Sequence, residues 1–342
     1  MKLNKGEWSE LYTILYLILN PNLKIVNQDL EILDENIFEI KKIITNNDII
    51  FNIFDKNIEI LDKNEIKVLE KYEVEKYSAN LLDKIKTTKE NTFEVENIKN
   101  LISKIGNFKG KSTSKGDIIL LNYDNIKKLG KKLSYSIKSK LGKSSTILNA
   151  SSHTNFIYTV ENLPFDKIEE INNINTRSKL LDRIKKIKEF GGKIKFKKVQ
   201  SKQFHQNLQM VDSLLPELLG EILLRSYSEN QKDLKKLFLK PTFLGQKIAE
   251  KKIGDFLLAI SFGMFPSIEW DGYYTVTGGI LIVMKNGDVY NLDLNYYKKE
   301  VVDYLMKETK LDTPSSKRYN MLNLIIENGE IVFTLNLQIR YK

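Results

Sequence analysis

The chain contains no cysteine. That absence excludes disulfides, Cys-based zinc sites and thiol nucleophiles. Histidine is nearly as scarce, with only His153 and His205, so no site can rest on three imidazoles. Any metal would be held mainly by oxygen, a donor set that favours Mg²⁺ or Mn²⁺. Arginine occurs five times, as Arg177, Arg183, Arg225, Arg318 and Arg340. Long apolar runs are also missing. The run from Leu11 to Leu19 is too short to span a bilayer, and Glu7 and Glu10 precede it, which does not fit a signal peptide. The expectation is a soluble, cytoplasmic protein with no membrane partner. No Gly-x₄-Gly-Lys-Ser/Thr phosphate loop is present, which argues against a helicase.

What the chain does have is lysine. Of 54 basic residues, 54 − 5 = 49 are Lys, and the formal net charge is +10. A basic surplus suits a polyanionic partner such as nucleic acid. The joint excess of Lys, Ile and Asn also looks like an AT-rich coding bias, so a solvated lysine surface is the competing reading. Hydrophobic residues make up 42% of 342 positions, enough for a core and against global disorder. That length holds one large domain or two of ordinary size.

Gly6 to Asn20 reads as a helix, with Leu11, Ile14, Leu15 and Ile18 at helical spacing. Beyond Glu10 it is apolar nearly all round, which implies burial. Residues 23–62 are short Ile-rich runs broken by turn pairs, read as strands. Helical patterns follow at about 64–86 and 93–106, then a polar, glycine-containing loop from Phe108 to Gly116. From about 165 to 263 the pattern is mostly helical, with one strand, Lys193 to Val199. Two Asn-Gly hairpin signals, Lys285-Asn-Gly-Asp288 and Glu327-Asn-Gly-Glu330, lie either side of a helix at about 297–308. The division expected is 1–163 as a core carrying the N-terminal helix, 164–263 as a mainly helical segment, and 264–342 as a strand-rich part packed with that core.

The chemistry concentrates in two adjacent strands. Gly116-Asp117-Ile-Ile-Leu-Leu is followed by a lysine-rich turn and Leu133-Ser-Tyr-Ser136-Ile-Lys138-Ser-Lys140. Residues two apart in a strand share a face, so Asp117 goes with Ile119, and Ser136, Lys138 and Lys140 go together, while Ile137 points the other way. A carboxylate and an ammonium on one sheet edge can hold a divalent metal against a phosphodiester. Spacing alone is weak, because a lysine falls at any chosen position about one time in seven in this chain. An ordinary strand pair with solvent-facing lysines would look the same.

A wider pattern strengthens the signal. Asp followed by a strand ending in (Glu/Asp)-x-Lys resembles the PD-(D/E)xK nuclease fold. More closely, the chain resembles the HpaII-type family of type II restriction endonucleases. The resemblance rests on Asn4-Lys-Gly-Glu7-Trp-Ser-Glu10-Leu-Tyr12, Ser136-Ile-Lys138-Ser-Lys-Leu-Gly142, Thr146-Ile-Leu-Asn149-Ala-Ser151 and Thr154-Asn-Phe-Ile-Tyr158. Nearer the end it continues through Trp270-Asp-Gly272, Thr277-Gly-Gly279, Thr313-Pro-Ser-Ser-Lys-Arg318 and Leu335-Asn-Leu-Gln-Ile-Arg340. These blocks run in order along essentially the whole chain. The resemblance implies a restriction-endonuclease-like α/β core, a central mixed sheet flanked by helices, with the helical segment and C-terminal hairpins added to it.

It further implies a type II endonuclease that cuts double-stranded DNA at a short, CCGG-like palindrome, leaving 5′-phosphate ends. Mg²⁺ would be the cofactor, with Mn²⁺ substituting, and the enzyme would be paired with a cognate DNA methyltransferase and form a homodimer or a DNA-induced dimer. Position 136 departs from the general signature, being Ser where Glu or Asp is usual, and a hydroxyl is a poorer ligand for a hard cation. Glu10 is the expected replacement, with Glu7 as competitor; the bland reading of Glu10 is a solvated carboxylate favoured by the helix dipole. The expected catalytic set is Asp117, Lys138, Glu10 and Ser136, and the expected ligands are Asp117, Glu10 and the Ile137 carbonyl. A repair or recombination nuclease of the same fold, and a DNA-binding protein with a decayed site, are the alternatives.

For DNA contact the candidates are Lys140, Lys143, Thr146, Asn149, Ser152, Asn155 and Arg318. Asn pairs bidentately with adenine and Arg with guanine. Against this, the run from Asn149 to Asn155 also reads as a capped polar turn, and Arg318 as a surface arginine. Trp270 reads as packing under a turn, and Lys185 to Lys198 as a solvated basic face.

Overall fold

A computed structural model describes residues 2–63, 65–98, 100–101 and 115–342. Contacts divide the chain into two compact units, each built from two separate stretches: Met1–Ser145 with Tyr274–Tyr304, and Thr146–Tyr273 with Leu305–Lys342.

The first unit is organised by a ten-stranded mixed sheet. From edge to edge its strands are Ile32–Asp34, Lys24–Val26, Val289–Asp293, Gly279–Val283, Leu129–Ser139, Ile118–Asp124, Phe38–Thr45, Ile50–Ile53, Asn57–Asp62 and Glu65–Glu70. Two pairings are parallel, Leu129–Ser139 with Gly279–Val283 and Val289–Asp293 with Lys24–Val26. The remaining pairings are antiparallel. Alternation sorts the central strand into two faces. Leu133, Tyr135 and Ile137 join Ile118, Leu120, Leu281 and Val283 in the core beneath the first helix, Lys5–Leu19. Ser136 and Lys138 face the other way.

That first helix is fixed on several sides. Trp8, Leu11, Leu15 and Leu17 are buried. The indole N–H of Trp8 donates to the Phe93 carbonyl (3.1 Å), and the Tyr12 hydroxyl donates to the Gly287 carbonyl (2.6 Å). Gly287 sits at φ +107° in the turn between Gly279–Val283 and Val289–Asp293. The hairpin expected from Asn-Gly is therefore present. The Thr277-Gly-Gly279 motif has a packing reason as well. The Tyr135 ring lies over Gly278, where any Cβ would come within 2.3 Å of it.

The second unit holds a four-stranded sheet in the order Lys193–Val199, Asn155–Glu161, Glu330–Asn336, Ile325–Glu327, and a three-stranded one of Thr146–Leu148, Ile339–Tyr341 and Thr309–Leu311. The helices Lys179–Glu189, Lys202–Val211, Leu215–Ser228 and Gln246–Phe262 belong to it. The helical reading of 165–263 with a lone strand at Lys193–Val199 is reproduced. So is the second Asn-Gly hairpin, with Asn328 and Gly329 both at positive φ. Among the described residues no helix is long and apolar enough to cross a membrane.

Two expectations need correction. The helix expected at 64–86 begins only at Lys71 and runs to Thr87. Glu65–Glu70 is instead the edge strand, paired with Asn57–Asp62; cross-strand pairing overrides the helix-forming composition of that segment. The helix expected at 93–106 starts later: Thr92–Phe93 is a short strand and Glu96–Ile98 a 3₁₀ turn, positions 100–101 are helical, and 99 and 102–106 lie outside the described residues. Most of the polar loop from Phe108 to Gly116 lies outside the described residues.

A polar group sits inside the first unit's core. Asp124 is fully buried and accepts from the Lys127 backbone N–H (2.9 Å), the Tyr296 hydroxyl (2.8 Å) and the Lys131 ammonium (2.9 Å). Burial alone would raise its pKa, but these donors outweigh it and hold the carboxyl at about 2. Asp293, also fully buried, has only Oδ2 engaged strongly, by the Tyr296 N–H (2.6 Å). Its Oδ1 has no hydrogen-bond partner, and burial pushes the carboxyl up to about 6.

An unfolded aspartate titrates near 3.9, so the folded state holds the Asp293 proton more tightly. Its stabilising contribution is complete below that unfolded value and is lost as pH rises through about 6. We expect Asp293→Asn to match wild type near about pH 4 and to exceed it by about 1–3 kcal/mol at about pH 7. Urea denaturation across that range measures the difference. A gain that stays flat with pH would contradict the assignment.

Candidate active site

The aspartate strand ends at Ile118, and this ending builds the site. Asp117 donates its backbone N–H to the Tyr135 carbonyl (2.8 Å), continuing the antiparallel register by one bond. Its side chain then does what the main chain would have done next. Asp117 Oδ2 accepts the Ile137 N–H at 2.6 Å. The carboxylate is thereby fixed against the strand that carries Lys138.

Ser136 and Lys138 complete a short polar chain. The Lys138 ammonium donates to Ser136 Oγ (2.8 Å) and to the Ile137 carbonyl (3.1 Å). The Ser136 hydroxyl in turn donates to Asp117 Oδ2 (3.3 Å). Ser136 is buried, so water does not compete strongly for this bridge. The serine where a carboxylate was expected therefore links the ammonium to the aspartate.

The first helix brings Glu10 to the same place. Ser9 shares a hydrogen bond with Ser139 Oγ (2.9 Å), and Ser139 Oγ also accepts the Leu141 N–H (3.1 Å). This pins the helix to the end of the lysine strand. Glu10, Asp117, Ile137 and Lys138 all line one cavity of about 830 Å³, together with Lys143 and the 88–91 segment. Gly6, one turn before Glu10, lines it as well; helix side chains lean toward the N-terminus, so a glycine there leaves the approach to Glu10 open.

Glu7 has a different task. Its carboxylate accepts the Asn4 N–H (2.8 Å), and its own N–H donates to Asn4 Oδ1 (3.0 Å). That reciprocal pair is a capping box, and Glu7 does not line the cavity.

Sequence reading missed Lys115. Burial, and then repulsion from the Lys138 ammonium, bring it down to about 8. The Lys115 and Lys138 ammoniums thus stand within electrostatic reach of each other. The position of Lys115 two residues before Asp117, just ahead of the strand Ile118–Asp124, was the available signal. The 88–91 wall carried no such signal, because its part in the cavity depends on the pairing of Thr92–Phe93 with Leu3–Asn4.

The donor set is all oxygen: two carboxylates and a carbonyl with a second lone pair beyond the one Lys138 uses. Among the described residues no group of three or more His, Cys, Asp or Glu side chains forms a metal cage. Two carboxylates facing an open cavity fit Mg²⁺, which retains waters and takes up substrate phosphate.

The remaining candidates lie in varied settings. Lys140 places its ammonium 5.8 Å from the Tyr304 ring centroid, and Lys143 is exposed. Thr146 opens the strand paired with Arg340. Asn149, Ser152 and Arg318 are exposed. Asn155 is only 9% exposed, and both ends of its amide are engaged, by Gln200 (2.8 Å) and Asn336 (2.6 Å). Trp270 packs as expected, with its indole N–H on the Tyr273 carbonyl (2.8 Å).

No solved structure matches the chain. The family model described as HpaII restriction endonuclease matches residues 4–341. The type II restriction enzyme HpaII of Haemophilus parainfluenzae is 32% identical over 363 aligned positions, covering 99% of this chain and 98% of that protein. The chain belongs to the HpaII restriction endonuclease family, and it is a type II restriction enzyme.

Proposed function

We propose that this enzyme cuts duplex DNA at a short, CCGG-like palindrome by Mg²⁺-dependent hydrolysis, leaving 5′-phosphate and 3′-hydroxyl ends, on a PD-(D/E)xK-type core. The observation that carries the reading is the gathering of Asp117, Glu10 and Lys138 around one cavity, with Asp117 fixed by the Ile137 N–H.

Asp117, Glu10 and the Ile137 carbonyl would hold the ion. When bound, Mg²⁺ supplies polarisation of a nonbridging phosphate oxygen and a lowered pKa for the attacking water. Lys138 orients that water and offsets the charge that develops on the phosphate in the transition state. Ser136 keeps the ammonium aimed by bridging it to Asp117. Asn155 serves the scaffold, leaving Asn149, Ser152 and Arg318 as the exposed reading groups. The serine at 136 had opened the decayed-site reading; its hydrogen bonds to both Lys138 and Asp117 favour a working site instead.

Incubation with a long unmethylated duplex and Mg²⁺, followed by sequencing of the cut ends, tests the whole reading. We expect one short palindrome at every cut, and no cutting in EDTA. Random ends, or cutting that ignores chelation, would overturn it. Asp117→Ala and Lys138→Ala should each lower cleavage by at least about 10³-fold with an unchanged circular dichroism spectrum.

Glu10→Gln should behave like those two variants. Glu7→Ala should retain most activity and lose about 1 kcal/mol of stability through the cap. The reverse pattern would exchange the two glutamates.

Ser136→Ala should reduce kcat by about 10–100-fold, the range expected for a lost hydrogen bond to a charged group, while the Mg²⁺ dependence stays at its wild-type midpoint. A shifted midpoint would instead make Ser136 a metal ligand.

A further inference from the structure

The arginines divide by use. Arg183 donates to the carbonyls of Ile174 (3.2 Å), Leu322 (2.9 Å) and Asn172. Arg225 clamps the carbonyls of Leu237 (2.9 Å), Lys240 (2.7 Å) and Pro241 (3.0 Å) and pairs with Glu221 (2.5 Å). Arg340 pairs with Asp312 (3.3 Å). All three are therefore committed within the second unit. Arg177, by contrast, is exposed and among the described residues makes no hydrogen bond or ion pair. Arg318 is likewise uncommitted. It is exposed, and among the described residues its guanidinium makes no hydrogen bond or ion pair. The guanidinium carbon lies 5.6 Å from the centroid of the neighbouring Tyr319 ring.

Tyr319 also reaches across the sequence. Its hydroxyl donates to the Ala150 carbonyl at 2.9 Å, joining the 313–320 segment to the one that carries Asn149 and Ser152. Both partners of that bond are rigidly held. The turn around Arg318 is wound by Tyr319 N–H to Ser315 O (3.2 Å) and Met321 N–H to Ser316 O (2.9 Å). The other segment is fastened from beneath by the fully buried Asn336, whose amide donates to the Ser151 carbonyl (2.7 Å) and to Asn155 Oδ1 (2.6 Å). Asn149 and Ser152 remain exposed, and among the described residues their side chains form no hydrogen bond. Three unused polar side chains thus flank one hydrogen bond on an otherwise satisfied scaffold. Uncommitted donors on a rigid support are what sequence reading requires.

We infer that Arg318 reads a guanine of the recognition site and that Tyr319 is its positioning residue, holding it on one shelf with Asn149. The inference rests on the reading of site-specific cleavage proposed above. Guanine is the base class because a planar guanidinium fork matches the O6 and N7 acceptors of its major-groove edge. The ring beneath the guanidinium limits its rotamers, and the bond to Ala150 fixes where that ring stands.

The test is cleavage of a randomised duplex library with Mg²⁺ by wild type, R318K, Y319F and Y319L, with the cut ends sequenced and kcat measured at saturating duplex. R318K retains the charge and loses the fork, so discrimination at one guanine position, with its symmetry mate, should fall about 10–100-fold. Y319L should relax the same position while kcat stays within about twofold of wild type, and Y319F, which keeps the ring but not the bond to Ala150, should fall between. R318K alone is sufficient if Y319L does not fold. Wild-type discrimination in R318K overturns the assignment. So does an R318Q variant that binds all sequences equally weakly with a salt slope reduced by about one, since that behaviour belongs to a phosphate contact. Wild-type cut ends with no common sequence overturn site-specific cleavage and this assignment together, whereas normal wild-type specificity with unchanged variants overturns the assignment alone.

Discussion

The Asp117 carboxylate accepting the Ile137 N–H at 2.6 Å is the contact on which the site depends. A strand that stops leaves its neighbour with an unpaired main-chain donor, and burying such a donor costs about 1–3 kcal/mol. Here a side chain satisfies it. The same bond fixes the aspartate relative to the lysine strand to within one residue of register. A slip by one would turn Ser136 and Lys138 into the core and Ile137 out of it. Core packing of Tyr135 and Ile137 under the first helix and placement of Lys138 at the cavity are thus one constraint seen from the two faces of one strand.

Legibility followed the distance over which each feature is decided. Asp117 and Lys138 were readable because a local antiparallel pair and period-two alternation determine their faces. The Asn-Gly turns were readable because two residues dictate the backbone there. The choice between Glu7 and Glu10 was also readable in principle, since Asn4-x-x-Glu7 at the start of an apolar helix is a capping-box spacing. What sequence could not supply was long-range pairing. The lysine strand runs parallel to Gly279–Val283, and that pairing brings Tyr274–Tyr304 into the first unit. No residue in either strand announces the other. Glu65–Glu70 was misread for a related reason, because its composition suits a helix and its partner strand decided otherwise.

Lysine abundance blurred the sequence and became informative only with burial. Charge alone assigned no special role to any of 49 lysines. Several ion pairs among the described residues are exposed and contribute little, as with Lys41–Glu39 and Lys299–Asp303. Lys131 differs in being held against the buried Asp124. Lys138 differs again, in that its partners are a buried hydroxyl and a carbonyl. An ammonium bound by neutral oxygens beside one fixed carboxylate retains attraction for an incoming phosphate that a fully paired lysine would have lost. Arginine, scarce enough to follow one by one, separates more sharply into committed and uncommitted groups.

The serine at 136 follows from the same electrostatics. A carboxylate there would sit on the same face as Lys138, two residues away, and would neutralise the ammonium directly. The hydroxyl instead accepts from Lys138 and donates to Asp117, so it orders both groups without adding charge. On the proposed reading the negative charge for a divalent ion comes from the first helix, which places Glu10 at the cavity and has Ser9 tied to Ser139 beside it. A carboxylate supplied by the helix rather than the strand would make the helix-to-strand contact part of the chemistry. On this account the Ser9–Ser139 bond and the Trp8 and Tyr12 anchors act on catalysis through Glu10, although none of them touches the reacting phosphate.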